Sequence, residues 1–369
     1  MGRQVTRLKD VADRTGFSIN TVSLALRDSP RIPVATRQLI HAAAEALNYL
    51  PNQIAKSLVS RETRTIGLVL TEITNPLLTR VAQAIELLLA ERGYSTLFAT
   101  SNNAHEAEKQ VIEMFRARQV DGMLIYPRSH RELDHIRQLR RAGYPLVLLV
   151  ADPDAGVDAV SVDERAGAGK AVRHLLERGH RRIGLIEGSS ALGNHEKREG
   201  YLQALQAAGI ALDEKLLIDP GAHSVLAGHA AMAELAARAE GMTAVLASTD
   251  ILALGALRWA QQQGRRVPQD LAIVGFDNIE FAEYAATPLT SVDYAVDQVT
   301  ELAVTRLLTL IRADAGLPEP QVTLIEPDLL VRESTMGPAR PGRGSGADSP
   351  GHRAHSRGNC ARPGPVRQR

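Results

Sequence analysis

The sequence predicts an α/β protein that has an all-α helix-turn-helix head at its N-terminus and a two-lobed, doubly wound α/β body behind it. Three observations support this prediction. Residues 1–50 show helical apolar spacing, residues 64–335 alternate apolar runs with amphipathic segments, and residues 336–369 change to Gly, Pro, Arg and Ser. With 369 residues, of which 44% are hydrophobic, the chain is long enough for two or three domains with sizeable cores.

Composition excludes several classes of protein. The chain holds one cysteine, Cys360, so a disulfide framework or a cysteine-based metal site within one chain is excluded. The 11 histidines show no zinc spacing such as His-Glu-x-x-His, and we expect no metal and no cofactor. The N-terminus has no export-signal pattern and no run of 18 apolar residues exists, so we expect a cytoplasmic protein with no membrane partner.

The net charge of +1 hides an uneven distribution of charge along the chain. Residues 1–60 carry eight Lys or Arg against four Asp or Glu, whereas the segment between this head and residue 336 is acidic. A basic head on an acidic body indicates that the head alone contacts a polyanion. Uneven surface charge without any partner remains the alternative at this point.

The head is predicted to contain three helices. Apolar residues at i, i+3 and i+4 from Leu8 share one helical face, and Gly16 ends this first helix. Ser18 takes the N-cap position of a second helix, in which Val22 belongs to a buried stripe, and a third amphipathic helix begins at about Val34. Two short helices joined by a turn that contains glycine form a helix-turn-helix, although a plain helical hairpin has the same periodicity.

Two stretches decide between these alternatives, "LKDVADRTGFSINTVSLAL" and "TRQLIHAAAEALNYLPNQIAKSL". From Thr6 to Leu58 the sequence resembles the N-terminal signature of the LacI/GalR (lactose-repressor-like) family of bacterial transcription regulators. The resemblance implies that Ile19–Arg27 is a recognition helix in the major groove, and that a homodimer, or a higher oligomer, binds a pseudo-palindromic double-stranded operator. Candidate DNA-binding residues in this domain, residues 1–50, are Thr6, Ser18, Ile19, Asn20, Thr21, Ser23, Leu24 and Arg27.

Leu24 departs from the pattern of the family that the head resembles. Relatives usually hold an arginine at this position, and an arginine can grip guanine through two hydrogen bonds. Leu24 and Ile19 offer only apolar contact, most naturally to thymine methyl groups. We therefore expect an operator half-site that depends less on guanine at this position. The alternative is that Leu24 turns inward as packing.

Residues 51–63 are predicted to form a hinge helix and linker between head and body. Pro51 ends the preceding helix, and a helix of this length is marginal by itself in water. The resemblance implies that the hinge folds on DNA, pairs with its copy and inserts Leu58 into the minor groove as a wedge. The residues matched to this role are Asn52, Ala55, Lys56 and Leu58. A plain linker is the alternative.

The body, residues 64–335, is predicted to contain two lobes built from parallel strands alternating with helices. Three crossovers near residues 160, 290 and 325 place lobe 1 at about 64–160 and 293–322, and lobe 2 at about 162–291 and 323–335. This architecture resembles periplasmic sugar-binding proteins, as the family resemblance implies for the body. Ligands of such sheets bind at the carboxyl ends of the strands, so we expect a small-molecule effector in a cleft between the lobes.

Residues at positions that match the cleft of the family, most of them polar, are the candidate effector site. Asp277 and Asp152 each follow a strand, although a turn or loop role is the alternative for both. Lys197 stands where relatives usually hold an arginine, and it provides a point charge instead of a planar fork. The candidates are Asn75, Leu77, Asp152, Lys197, Arg198, His223, Thr249 and Asp277. Together they predict a polar metabolite, which we expect to be a sugar or a sugar-derived acid.

The C-terminal segment, residues 336–369, carries seven arginines and no apolar period, so we expect it to be disordered. Its arginines can add nonspecific DNA affinity, or the segment has no role. The whole chain therefore predicts a ligand-controlled transcriptional regulator, expected to be a repressor. The alternative is a cytosolic solute-binding protein without regulatory DNA binding. An enzyme would need a nucleophile or a paired acid and base, and the sequence shows no such arrangement.

Overall fold

The computed structural model describes residues 6–50, 62–150, 152, 154–188, 194–313 and 316–336. The head contains helices α1 (Leu8–Thr15), α2 (Ile19–Ala25) and α3 (Val34–Ala46). Gly16 ends α1 with a positive φ of 74°, a conformation that glycine adopts without steric cost. Ser18 then caps α2, because its hydroxyl accepts a hydrogen bond from the Thr21 amide at 3.1 Å. The turn between the two helices is therefore fixed by local chemistry.

One small core holds the three head helices together. Val11 of α1, Val22 and Ala25 of α2, and Ile40 of α3 are fully buried against one another. These residues lie at helical spacing, so each helix turns a single apolar face inward and leaves its other faces to solvent. The predicted helix-turn-helix head is confirmed.

The body begins with a parallel sheet of six strands within the described residues. Its strand order is β11-β5-β4-β3-β1-β2. The strands are β1 (Thr65–Leu70), β2 (Ser95–Thr100), β3 (Gly122–Ile125), β4 (Leu146–Leu148), β5 (Ala159–Val162) and β11 (Val322–Ile325). Helices α4 (Pro76–Glu91), α5 (His105–Ala117) and α6 (Asp134–Arg141) connect the first four, and α12 (Val296–Ile311) packs against β3, β4 and β5. The central strands are buried on both faces, as parallel strands between two helical layers must be.

A second sheet, in the order β12-β10-β9-β8-β6-β7, forms the other half of the body. Its strands are β6 (Ile183–Ile186), β7 (Leu217–Ile218), β8 (Ala244–Ala247), β9 (Ala272–Asp277), β10 (Thr290–Asp293) and β12 (Leu329–Leu330). Its helices are α7 (Glu164–Glu177), α8 (Glu196–Ala207), α9 (Val225–Arg238), α10 (Asp250–Gln262) and the short α11 (Glu280–Glu283). The strands are parallel except β12, which runs antiparallel to β10. The predicted fold class is confirmed in both sheets.

The chain passes between the two sheets at three places. The first passage follows β5, the second follows β10, and the third follows β11. Strand β11 pairs with β5 as far as Ile325 and Val162. The first sheet thus extends three residues beyond the boundary of 322 that the sequence suggested, because the apolar run that begins at Val322 is one edge strand. Among the described residues, no helix combines the length and the apolar character needed to cross a bilayer.

Candidate DNA-binding helix and effector cleft

The outer face of α2 carries the side chains that are predicted to contact DNA. Ile19 is 50% exposed, and Asn20 is exposed as well. Arg27 is also exposed, but it lies in the turn after α2, because the helix ends at Ala25 and is two residues shorter than the Ile19–Arg27 helix that the resemblance implied. Leu24 is half-buried and does not belong to the apolar core of the head. These side chains lie on the opposite side of the helix from the buried Val22. One face of α2, which carries both polar and apolar side chains, therefore meets solvent, and the other face packs into the core of the head.

Several of the predicted DNA-binding side chains also hold the head together. The Ser18 and Thr21 hydroxyls lie 2.8 Å apart at the start of α2. The Arg27 guanidinium donates to the carbonyl and the hydroxyl of Ser23, each at 3.1 Å, so its position along the helix is fixed. Thr6 donates its hydroxyl to the Leu47 carbonyl at 2.9 Å and thereby ties the chain before α1 to the end of α3. Intramolecular hydrogen bonds therefore orient these residues in advance.

The predicted hinge residues Asn52, Ala55, Lys56 and Leu58 lie outside the described residues. Immediately after the hinge, the Asp121 carboxylate accepts hydrogen bonds from the backbone amides of Thr63 and Arg64, both at 2.8 Å. Asp121 stands just before β3, so this clamp fixes the point where the chain enters the first lobe. A change near the hinge can reach the sheet through it.

The body contains a cavity at the carboxyl ends of strands from both sheets, and most predicted effector residues line it. Seven of the eight lie on its wall: Asn75, Leu77, Lys197, Arg198, His223, Thr249 and Asp277. Asp152 is not among the lining residues. Its carboxylate lies 3.7 Å from the Arg131 guanidinium, outside the cavity. A position at a strand end thus placed Asp277 on the cavity wall, whereas Asp152 lies outside the wall.

Asp277, the last residue of β9, is the most unusual group in the cavity. Its side chain is 2% exposed, and its Oδ2 has no hydrogen-bond partner among the described residues. Its φ of 110° lies in a region that L-residues rarely adopt, which typically costs about 1–3 kcal/mol. Burial raises the pKa of Asp277 well above its ordinary value, although the charge of Lys197 opposes this. A buried, strained carboxyl with a free acceptor is suited to receive hydroxyl donors from a ligand.

Lys197 on α8 lies at the centre of the cavity charges. Its Nζ is 3.1 Å from Glu164, donates to the Ser248 carbonyl at 3.0 Å and stands 4.2 Å above the Phe276 ring. Burial lowers the pKa of Lys197, but the carboxylates of Glu164 and Asp277 more than offset it, and the net pKa is raised. The ammonium group therefore stays charged and fixed.

A second pair of charges lies beside this centre. Arg198 is 3.6 Å from Glu187, whose pKa is raised by burial against the opposing charge of Arg198. His223 packs against Gly188, where a Cβ would lie 2.5 Å from its ring, so only glycine permits this approach. Burial and the charge of Lys197 lower the pKa of His223, which favours the neutral imidazole.

Two other predicted residues act at helix starts on the cavity wall. The Asn75 side chain caps α4 by accepting from the Leu77 amide at 2.9 Å, and Leu77 itself is buried. Thr249 caps α10 by accepting from the Leu252 amide at 3.4 Å. Both helices thus begin at the cavity, where their free N–H groups favour oxygen-rich ligands.

The sequence interpretation missed several lining residues. Glu164 and Glu187 follow β5 and β6, so the rule that ligands meet strand ends could have found them. Ser248 follows β8 in the same way, and its Oγ is buried without a hydrogen-bond partner among the described residues. Tyr126 and Arg128, which follow β3, come from the first lobe. The same rule could have found these two residues.

Several hydrogen bonds join the lobes beside the cavity. The buried His130 of the first lobe has its Nδ1 3.0 Å from the Oε2 of Glu196 on α8. The Asn194 side chain accepts from the His130 amide at 2.9 Å and donates to the Arg128 carbonyl at 3.3 Å. Any opening of the cleft must break or stretch these hydrogen bonds.

Two groups of side chains in the described part of the chain each bring three possible metal-ligand atoms within 4.8 Å of one another. One consists of His130, Glu164 and Glu196 at the lobe junction, and Lys197 already neutralises Glu164 there. The other consists of His105, Glu108 and His135 on the first lobe, away from the cavity wall.

Comparison with known proteins shows what the chain is similar to. Residues 7–52 match the family model "Bacterial regulatory proteins, lacI family", and residues 172–335 match the "Periplasmic binding protein-like domain". The HTH-type transcriptional regulator CelR of Thermobifida fusca is 35% identical over 343 residues, which cover 90% of this chain and 99% of CelR. The HTH-type transcriptional repressor CytR of Escherichia coli K12 is 34% identical over 77% of this chain and 84% of CytR.

Solved structures extend the comparison. The complex of the transcriptional regulator CelR with cellobiose is 32% identical, with a TM-score of 0.66 over 89% of this chain and 99% of that one. The Lac repressor dimer bound to operator and the anti-inducer ONPF is 24% identical, with a TM-score of 0.82 over 90% and 100% of the two chains, and shows likeness of fold alone. These relatives are DNA-binding regulators and not enzymes. The chain belongs to the LacI family of bacterial regulatory proteins.

Proposed function

We propose that this chain is a cytoplasmic transcriptional repressor whose homodimer binds a pseudo-palindromic operator and is controlled by a small polyhydroxylated effector. The DNA-binding part of the proposal is supported by the family of the chain and by the exposed outer face of α2. The effector part is supported by one observation above the others. A cleft between two lobes buries the Asp277 carboxyl with one oxygen left free to accept hydrogen bonds.

The proposed division of labour follows the predicted domains. Residues 1–50 bind the operator and residues 51–63 form the hinge. Residues 64–335 bind the effector and provide the dimer contacts, with lobe 1 and lobe 2 divided as the two sheets are. No role is assigned to residues 336–369. The short hinge thus lies between the head, which binds DNA, and the body, which binds the effector. A small change in the relative position of the two lobes can therefore alter the spacing of the two heads in the dimer.

The chemistry of the cleft favours a ligand rich in hydroxyl groups. Lys197 lies beside Glu164, and Arg198 lies beside Glu187, so most charges on the wall are already balanced by a neighbour. Among the described residues, the groups left to a ligand include the Asp277 Oδ2, which can accept, and the Ser248 hydroxyl, which can both donate and accept. A neutral sugar supplies hydroxyl groups for both without adding charge. A sugar-derived acid would also require a cation to be released from its present partner, which costs free energy.

Control of DNA binding requires only that the effector prefer one arrangement of the lobes. A coupling free energy of about 1–3 kcal/mol changes operator affinity by about 5- to 150-fold. The His130–Glu196 and Asn194–Arg128 contacts are among those that lobe movement would alter. The first lobe holds the segment after the hinge through Asp121, so movement of this lobe is passed to the hinge.

The first experiment identifies the effector class with the full chain. Glucose, galactose, ribose, cellobiose, gluconate and glucuronate are compared by thermal shift, and any stabilising compound is added to operator-binding assays. We expect a neutral sugar to stabilise the chain and to change its affinity for promoter DNA. A compound that stabilises the chain without changing DNA affinity would support the solute-binding alternative instead.

The second experiment tests Asp277. Asp277→Asn preserves the size of the side chain and tolerates positive φ, but it replaces one carboxyl oxygen with an amide NH2 group. A sugar hydroxyl that donates to this oxygen then has no acceptor, which should weaken the stabilising sugar by about 1–3 kcal/mol, or about 5- to 150-fold. Asp270→Asn, on the exposed side of the second lobe, is the matched control and should leave sugar affinity unchanged. Equal sugar affinity in Asp277→Asn and the parent chain would refute the role of Asp277.

A further inference from the structure

The first lobe carries a cluster of two histidines and a glutamate that the regulatory function does not use. His105 and Glu108 belong to the first turn of α5, and His135 belongs to the first turn of α6. Positions i and i+3 of a helix share one face, so His105 and Glu108 project to the same side, where α6 brings His135. One ligand atom from each residue lies within 4.8 Å of the other two.

The cluster is held in place before any ion arrives. The Nε2 of His135 is 2.8 Å from the Oε1 of Glu108, and the backbone amide of Arg128 donates to the Oε2 of the same carboxylate at 2.8 Å. Glu108 is 2% exposed, and the ring of His105 stands edge-on to that of His135 with centroids 5.0 Å apart. Two ligands of one tetrahedral zinc ion lie about 3.3 Å apart, so small movements convert these contacts into coordination.

We propose that His105, Glu108 and His135 bind a divalent transition-metal ion, with Zn²⁺ as the best fit. Two imidazoles and one carboxylate suit Zn²⁺, Co²⁺ or Ni²⁺, whereas Mg²⁺ and Ca²⁺ prefer oxygen ligands throughout. Three protein ligands leave a further position for water. His105 is half-buried and His135 slightly exposed, so an ion can reach the site from solvent.

The carboxylate of the cluster favours a cation. A bound divalent ion with Glu108 as its one coordinating carboxylate keeps a net positive charge. The exposed Glu106 at the same helix start lies 3.0 Å from Lys109, so its charge is already balanced. The competing site at the lobe junction contains Glu164, which Lys197 already neutralises, so a second cation is less favourable there.

The ion would join three segments of the first lobe. Metal coordination by Glu108 Oε1 leaves Oε2 to hold the amide of Arg128, and Arg128 borders the effector cavity. Helices α5 and α6 and the segment after β3 would then share one fixed point. Since an ion that binds only the folded chain stabilises it, Zn²⁺ should raise the midpoint of thermal unfolding.

The decisive variant is His105→Ala, because it removes one ligand and keeps the Glu108–His135 hydrogen bond. The full chain is freed of metal with a chelator and titrated with Zn²⁺ by calorimetry, and with Co²⁺ by visible absorption. We expect at least about tenfold weaker binding in His105→Ala, because even an outer partner of a metal ligand typically contributes 10- to 100-fold. Glu108→Gln should weaken binding similarly, and the thermal shift caused by Zn²⁺ should shrink in both variants.

His229→Ala is the matched control, since His229 is a surface histidine on α9 whose ring lies 2.7 Å from Gln262. It should bind Zn²⁺ as the parent chain does. Because Cys360 and other histidines can also take up Zn²⁺, the measured quantity is the difference between variants. Equal Zn²⁺ affinity in His105→Ala, His229→Ala and the parent chain would overturn the proposal. Binding that survives His105→Ala and is lost in His130→Ala would overturn it too and move the ion to the lobe junction.

Discussion

The recognition helix and the effector cleft use polar side chains in opposite ways. Asn20 on α2 and Arg27 in the turn after it are exposed, and a small apolar core holds the helix from beneath. In the second lobe, Asp277 of the cleft is 2% exposed, and Asp250, at the start of α10 after the neighbouring strand β8, is fully buried. The head thus exposes its binding groups to solvent, whereas the second lobe buries its own.

This difference has energetic consequences. Charges that stay hydrated gain little from one another, so the head relies on many weak contacts to DNA phosphates and on groove geometry. Buried charges cost free energy unless they are paired, and the cleft pairs most of them within itself. A ligand of the cleft therefore gains affinity by satisfying the remaining acceptors, and salt screens this gain weakly.

The largest expected effect is a difference in salt dependence between the two regions. Operator affinity should fall by about 10³- to 10⁵-fold between about 50 and 200 mM salt, because a dimer that neutralises several phosphates releases their counterions. Affinity for the stabilising sugar should change by less than about twofold over the same range, because its partners are buried. Fluorescence anisotropy with labelled operator and calorimetry with the sugar provide both measurements on one preparation.

The comparison fails if the two salt dependences are alike. A flat response of DNA binding would mean that the head does not contact phosphates, and would contradict the family-based interpretation of its basic charge. A steep response of sugar binding would mean that the cleft is open to ions, despite the burial of Asp277 and Glu164.

The second effect concerns stability. Asp250 accepts hydrogen bonds from the Ser291 hydroxyl at 2.6 Å and the Ile279 amide at 2.9 Å, and burial raises its pKa to about 7 from an ordinary value of 3.8. A raised pKa means that the folded state holds its proton more tightly than the unfolded state. The stabilising contribution is therefore complete below about pH 4 and is lost progressively as the pH rises to about 7.

Asp250→Asn should remove this pH dependence. The free energy of unfolding of Asp250→Asn minus that of the parent chain should increase by about 2–3 kcal/mol as the pH rises from 4.5 to 7.5. Urea unfolding of the full chain measures both free energies. Asp270→Asn is the control, because the Arg266 hydrogen bond lowers the pKa of Asp270 to about 2, so its titration lies outside this window. A stability difference that stays constant from pH 4.5 to 7.5 would show that Asp250 is ionised throughout.

The two regions also differ in how far the sequence predicted them. The head could be predicted in detail, because local rules fix it: the turn at Gly16, the cap at Ser18 and one apolar face for each helix. The body strands were predictable from their apolar runs. The edge strand β7, two residues long, was not expected, since so short a strand leaves no apolar run.

The cleft could be predicted only in part, because its residues come from the ends of strands in two sheets. The family resemblance pointed to Asp277 and Lys197 as candidates, whereas Glu164 and Glu187, which follow β5 and β6, required the rule that ligands meet strand ends. Asp152 shows the opposite error, since it follows a strand but contacts Arg131 outside the cavity. The His105–Glu108–His135 cluster could not be seen in any contiguous spacing, because packing of two helices brings its third member close.

The smallest expected effect tests the apolar side of the recognition helix. Leu24 is half-buried and lies outside the core of the head, so it can face a base pair. Leu24→Arg should introduce preference for guanine at one position of each half-site, worth about 1–3 kcal/mol for a bidentate contact. Binding-site selection on randomised duplexes with the parent chain and the variant measures this. If the parent chain already requires guanine there, or if the variant selects the same sites, Leu24 does not face the base edge, and the head achieves its specificity through Asn20 and Arg27 instead.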